Sequence, residues 1–541
     1  MTLRPVRRRF FRLLTILILC AGAAIDARAQ DRDLALIVNE YLPGYWAFRP
    51  VSAATPAGVH SQDKSLEDWS STAVQAEIAR NRAALSRIEK LDSKQLSAAA
   101  RADRENLAAR IRLVIADLDE RKQASTRPDL YALLLGDAAW SLTNRQFAPA
   151  TTRFDALDER LKLYPKVLKL ARANFENPPE IDTRKALEIL AGVADYLDKG
   201  VPNAAVTQGL EKKALSRVQK DAHVAAAAVR DFRAWMEAQL LPHSKGNPVT
   251  PEAAYRRIFR DRLGTAMTPE AVLAEAEKEL GTAPLPVAPP AADTLDALQV
   301  LQALRQGERD PRLFTDQKRI APIPMPDRLQ FENAPPYSPR LSAWLDPAGA
   351  FEPDLAFFIY VPASLALTRS GAQAAIIRLG HPGAYLQREA MNHTDTIIRK
   401  VFPNLAFIAG WEEYAAVLMR EAGYSAPGVK DAVHDAAHDR AVWLDAIFDI
   451  RLHLGKVTPE EAEKQLATQF ACSPAEAHDR VWRSLSSPAA PSAAFVGKLE
   501  LVRLRDQIHK EMGAAFILGE YHTRLLSLGA PTFAAAHELL Q

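Results

Sequence analysis

The chain has 541 residues, 48% of them hydrophobic and 25% charged, which is ordinary globular material for large cores. With 68 Lys and Arg against 66 Asp and Glu, the formal net charge of +2 argues against a polybasic nucleic-acid surface or an acidic disordered tail. Two cysteines exclude a disulfide framework and any four-cysteine zinc module.

Residues 1–29 read as an export signal. Arg4, Arg7, Arg8, Arg9 and Arg12 form a basic start, Leu13 to Cys20 a short apolar core, and Ala27-Arg28-Ala29 a small-x-small cleavage site. The apolar stretch is shorter than the roughly 20 residues of a membrane span. The run from Arg7 to Arg12 also resembles a twin-arginine signal, while the Leu/Ile core suits general secretion equally. Lipidation at Cys20 is disfavoured by bulky Leu19 before it. Cleavage after Ala29 removes six Arg and one Asp, so the mature chain carries −3 and keeps Cys472 alone. The expectation is a periplasmic or secreted protein with no stable membrane span after signal cleavage, and with Cys472 as a semi-buried small apolar residue.

Residues 30–280 are expected to form an N-terminal helical region. Val74, Ile78, Leu85 and Ile88 share one helical face, and Leu107, Ile111, Val114 and Leu118 repeat the spacing. Breaks are expected at Arg127-Pro128, Asn177-Pro178-Pro179, Pro202 and Leu241-Pro242, because proline cannot continue a helix. Residues 281–293 form a proline-rich linker, extended and stiff. A C-terminal helical region, 294–541, follows. It begins with a helix over Leu295–Arg305 and holds a small β insertion around 320–363, in which Leu355 to Val361 reads as a buried strand. The fold class is mainly α.

From Pro382-Gly383-Ala384-Tyr385-Leu386-Gln387 and Gly410-Trp411-Glu412-Glu413-Tyr414-Ala415, the chain resembles the bacterial domain-of-unknown-function family 885. The resemblance extends forward to Ala54-Thr55, Gly58, His60, Asp63, Asp68 and Ser70, to Pro128 with Tyr131, and to Arg160 through Pro165. It extends back to Asp449–His453, Thr458–Ala462, Phe495–Lys498, Leu504-Arg505 and Tyr521-His522. It implies a large helical zincin-like fold, similar to gluzincins and the Taq-type carboxypeptidases.

That family's pattern is His-Glu-x-x-Pro-Gly-His-x-x-Gln, then Glu-Gly-Trp-Ala-Leu-Tyr-Ala-Glu on a later helix. Two imidazoles and a carboxylate hold Zn²⁺ with a position open for water, and the first Glu takes that water's proton. With Pro382 and Gly383 as anchors, the first His position holds Arg378, the Glu position Leu379 and the second His position Ala384. On the later helix Ala409 and Ala416 replace the two glutamates. None of these side chains binds a divalent cation, and Arg378 repels one.

The resemblance therefore implies an exported pseudopeptidase, leaning away from catalysis. It would bind an unknown peptide, cell-envelope fragment or protein partner in the former cleft, with no cofactor and no nucleic acid. Gln387, Trp411, Tyr414, Asp449 and His453 are the candidate contacts. Against this stand core readings: Phe407, Trp411, Tyr414 and Leu418 form an apolar stripe, and Asp449 and His453 at i, i+4 can hydrogen-bond one another. A displaced metal site has two weak candidates, His434 with His438, and His381 with Glu389 and His393. The alternative function is a divergent hydrolase or peptidase with a relocated metal or histidine-based site, around His381, His453 or His522. No Gly-x-Ser-x-Gly elbow, phosphate-binding glycine loop or Rossmann fingerprint occurs.

Overall fold

The computed structural model describes residues 29–282, 293–424 and 436–541. The export signal, most of the proline-rich linker and His434 lie outside the described residues. Helices dominate, joined by short proline-marked turns. Among the described residues no helix is long and apolar enough to cross a membrane.

Helices Ser71–Glu89 and Ala98–Ile115 bury the expected stripes, with Val74, Ile78 and Ile88 on one and Leu107, Ile111 and Val114 on the other. Ser70 and Ser97 cap them by accepting the backbone N–H three residues on. Helices Pro128–Asn144, Ala150–Asn174, Glu180–Asp195 and Lys212–Trp235 form a bundle around Tyr131, Leu135, Leu157, Leu190 and Val229. Pro128 starts its helix at a position where its missing N–H costs nothing. Pro202 does not end one. Helix Glu180–Asp195 passes through a widened turn, Tyr196–Gly200, into Val201–Thr207, and the local change in hydrogen-bond register accommodates the proline there.

The helices on either side of the proline-rich stretch share a core. Tyr255, Phe259 and Leu263 of helix Glu252–Leu263, and Val272, Leu273 and Ala276 of helix Pro269–Thr282, pack with Phe407, Trp411, Phe448 and Leu501. These two helices were expected in the N-terminal region. Their apolar faces belong to the same cluster as the helices of the C-terminal region.

The β elements are small. Strand β1 (Thr294–Leu295) precedes helix Ala297–Glu308, which starts two residues later than expected behind an Asp296–Gln299 capping box. Strands β2 (Leu329–Asn333), β3 (Trp344–Asp346) and β4 (Phe357–Val361) form one sheet in the order β2-β4-β3, with β2 parallel and β3 antiparallel to β4. Every residue of β4 is buried, which explains its unbroken apolar run. Strand β5 (Leu367–Thr368) pairs antiparallel with β1.

Candidate functional site

Helix Leu405–Glu421 is the centre of the C-terminal half. It packs against helix Ala493–Met512 and, through Trp411, against the turn before helix Ala384–Asn392, where Trp411 Nε1–H donates to the Pro382 carbonyl at 3.0 Å. The turn carrying the altered motif and the Gly-Trp helix are therefore held together directly. At the positions where the resemblance places metal ligands stand Arg378, Leu379, Ala384, Ala409 and Ala416, with no imidazole or carboxylate among them. This set does not fit a zinc ion. Among the described residues, no group of three or more His, Cys, Asp or Glu side chains is arranged to hold a metal.

The candidate contacts read from the sequence are sealed inside the fold. Trp411 and Tyr414 have no exposed surface, nor has His522. The Tyr414 hydroxyl donates to His522 Nε2 at 2.9 Å, while His522 Nδ1–H donates to the Ile320 carbonyl at 2.7 Å. A carbonyl can only accept, so the imidazole is fixed as the neutral Nδ1–H tautomer. Burial pushes its pKa down to about 4. Asp449 accepts from the Ala489 N–H (3.0 Å), the Ser492 hydroxyl (2.5 Å) and the Tyr255 hydroxyl (2.9 Å). It thereby ties helix Ala436–His453 to two other segments. His453 stacks on Tyr255, and its Nε2–H donates to the Ser484 carbonyl at 3.0 Å. The Asp449–His453 separation is 3.9 Å, so each bonds to other groups rather than to its i+4 neighbour. Trp411, Tyr414, Asp449 and His453 are core and cross-links, with 0–1% of their surface exposed. Gln387 is 1% exposed, and neither of its amide atoms has a hydrogen-bond partner.

Of the three histidines of the alternative hydrolase reading, His381 pairs with Glu308 at 2.9 Å, while His453 and His522 hydrogen-bond the Ser484 and Ile320 carbonyls. Glu389 pairs with Arg328, and His393 Nδ1 lies 2.9 Å from the Glu389 carbonyl. Cys472 is half-buried, and burial pushes its thiol up, away from a reactive thiolate.

What the fold does assemble is a group of charged side chains around Glu412 and Arg340. Arg340 is exposed, and Asp137 of helix Pro128–Asn144, Asp346 of β3, Glu412, and Arg483 of helix Pro474–Ser486 all lie within its electrostatic reach. Its guanidinium rests 4.9 Å from the Trp344 ring centre and makes no carboxylate hydrogen bond. Arg388, half-buried, faces Glu412. Glu412 is half-buried and has no hydrogen bond. Burial and the neighbouring Glu413 carboxylate push it up to about 7, against Arg388, His438 and Arg378. For Glu413 burial also opposes ionisation, but His438, Arg378 and Lys498 outweigh it and hold the carboxyl down at about 2. The His438 Nε2–H to Glu413 contact is 2.7 Å. Two adjacent carboxyls are thus driven apart in pKa, Glu413 ionised at neutral pH and Glu412 titrating near it. The sequence signal for this pair was the Glu412-Glu413 dipeptide inside the Gly-Trp-x-x-Tyr signature.

The forward family residues form a separate network. Thr55 donates to Asp63 at 2.7 Å and accepts from Arg160 at 2.8 Å. His60 bridges Asp63 and Glu352, each at 2.8 Å.

The family model for a bacterial protein of unknown function, DUF885, matches residues 51–539. The chain belongs to that family. Two solved structures share the fold. A candidate lipoprotein of unknown function from Shewanella oneidensis is 19% identical with a TM-score of 0.71, over 94% of this chain and 99% of that one. A candidate lipoprotein from Colwellia psychrerythraea is 14% identical with a TM-score of 0.75, over 94% and 98%. No curated protein matches the chain.

Proposed function

We propose that this chain is an exported, envelope-located member of the family that binds a peptide, cell-envelope fragment or protein partner at the charged group around Arg340 and Glu412, without metal-dependent hydrolysis. The observation that carries this reading is the complete replacement of the pattern's donors by Arg378, Leu379, Ala384, Ala409 and Ala416. A zincin-like descent accounts for the retained Pro382, Gly383, Gly410 and Trp411 beside those losses. Export is supported by the basic-apolar-small leader and by the lipoprotein descriptions of the two solved relatives. Charged groups left without close partners, Arg340, Arg388 and Glu412 among them, suit a polar ligand that supplies the missing partners. Assays of the purified mature chain on peptide mixtures with added Zn²⁺, Mn²⁺ or Co²⁺ test the reading. Background turnover is expected, and metal-dependent cleavage would overturn it.

The split Glu412–Glu413 pair favours one second reading, a metal-free hydrolase in which Glu412 moves a proton. Paired carboxyls with separated pKa values are how acid and base roles are divided. Turnover without metal that is lost in Glu412→Gln would select this reading over binding alone.

A further inference from the structure

A cavity of about 280 Å³ lies in the N-terminal half, and its wall includes Asp137, one of the charged groups around Arg340. Phe48, Trp69, Leu130 and Leu134 make most of the lining apolar. Its polar groups divide into two kinds. Arg49 and Asp117 are engaged already, by Glu77 at 3.0 Å and Arg121 at 2.9 Å. Glu67 is different. It is 2% exposed, and its Oε1 accepts from the Val51 and Ser52 N–H groups at 3.2 and 2.8 Å, while Oε2 has no partner. Burial pushes the Glu67 carboxyl up from its ordinary value, and a buried carboxyl oxygen left bare beside a cavity is costly unless a cationic donor arrives to pair with it.

Asp137 adds a second acceptor. One of its oxygens takes the Tyr337 hydroxyl at 2.9 Å, and Glu67 is close enough to act on its charge. On another wall Arg110 gives one N–H to the Tyr45 hydroxyl at 2.9 Å and leaves Nε without a partner. The cavity thus offers two acceptors, one cationic donor and an apolar pocket, at the low end of small-ligand cavity sizes.

We propose that this cavity receives the amino-terminal residue of a peptide or peptide-bearing fragment, one with a hydrophobic side chain. Its α-ammonium sits on Glu67 Oε2 and Asp137, its carbonyl points toward Arg110, and its side chain lies among Phe48, Trp69, Leu130 and Leu134. The following residues leave past Asp137 toward Arg340. A cavity this size holds one residue and not a chain, which is why the amino terminus is the part it takes. The inference rests on the binding reading above and names its ligand end.

The test is calorimetric titration of the full mature chain with Leu-Gly-Gly, L-leucinamide and N-acetyl-L-leucinamide. The two free amines should bind, and acetylation should weaken binding about tenfold or more, the loss of a charge-assisted hydrogen bond to a buried carboxylate. Glu67→Gln keeps an oxygen for the Val51 and Ser52 amides and should erase the preference for the free amine. Asp137→Asn, at an exposed position, gives the same readout with less risk to folding. Equal binding of the acetylated probe, an undiminished preference in both variants, or no binding of any probe overturns the inference. A metal-free chain that fails to bind these probes leaves the binding reading at Arg340 intact, whereas a metal-dependent peptidase would remove that reading whatever the probes do.

Discussion

Gly410 and Gly497 meet backbone to backbone where helix Leu405–Glu421 crosses helix Ala493–Met512. A Cβ on Gly410 would lie 2.6 Å from the Lys498 nitrogen, and one on Gly497 would lie 2.7 Å from the Gly410 Cα and within the carbonyl oxygen of Ala406. These distances are to main-chain atoms, which cannot turn aside as a side chain can. The two glycines set the closest approach of the helix pair and hence the position of Trp411, Glu412 and Glu413.

Gly497→Ala should therefore destabilise the protein by about 3 kcal/mol or more, the upper range for overpacking a close-packed interior. Urea denaturation gives the number. Gly410→Ala should cost a similar amount, and the double variant less than the sum, because both relieve their clash by the same separation of helices. Near-neutral single variants would mean the crossing is looser than this geometry.

Tyr414→Phe should cost about 1–3 kcal/mol, since it leaves the buried His522 Nε2 acceptor without a donor. His522 and His453 are both pushed down to about 4 by burial, from an ordinary value of 6.5. Between those values the unfolded chain binds protons that the folded chain refuses, so stability is full above about pH 6.5 and falls as pH drops toward 4. His522→Gln should lower neutral stability and flatten this acid slope, as read by denaturant midpoints across the window. An unchanged slope would show that His522 takes up its proton in the folded state.

Glu412 has the opposite sign. Its folded value of about 7 lies above the ordinary 4.5, so the folded state holds a proton that the unfolded state has released. Its contribution is largest at low pH and is lost as pH rises from about 4.5 through 7. Glu412→Gln should consequently gain melting temperature over the parent at pH 8 relative to pH 5. A parallel shift at both values would place Glu412 in ordinary solvent.

The periodicity of Val74–Ile88 and Leu107–Val114 gave those helices correctly, and the apolar run before Val361 gave the buried strand, because local spacing settles such elements. The sheet order β2-β4-β3 depends on pairings between residues up to 28 positions apart and leaves no local trace. Pro202 misled because a widened turn absorbs it. Trp411, Tyr414, Asp449 and His453 were legible as positions shared with the family but not as core, since an imidazole or carboxylate reads alike whether it faces a ligand or a carbonyl such as that of Ser484. The Glu412–Glu413 pair and Glu67 Oε2 depend on burial, on long-range neighbours such as Arg340 and His438, and on which oxygens remain bare. Spacing encodes none of these.

On the proposed reading, ligand binds without a metal ion. Elemental analysis of the mature chain, purified from zinc-replete cells and again after dialysis against Zn²⁺, is the sharpest check. Zinc far below one ion per chain, with a melting temperature indifferent to chelator, is the predicted result. Stoichiometric zinc that chelation removes, with a matching loss of stability, would contradict it.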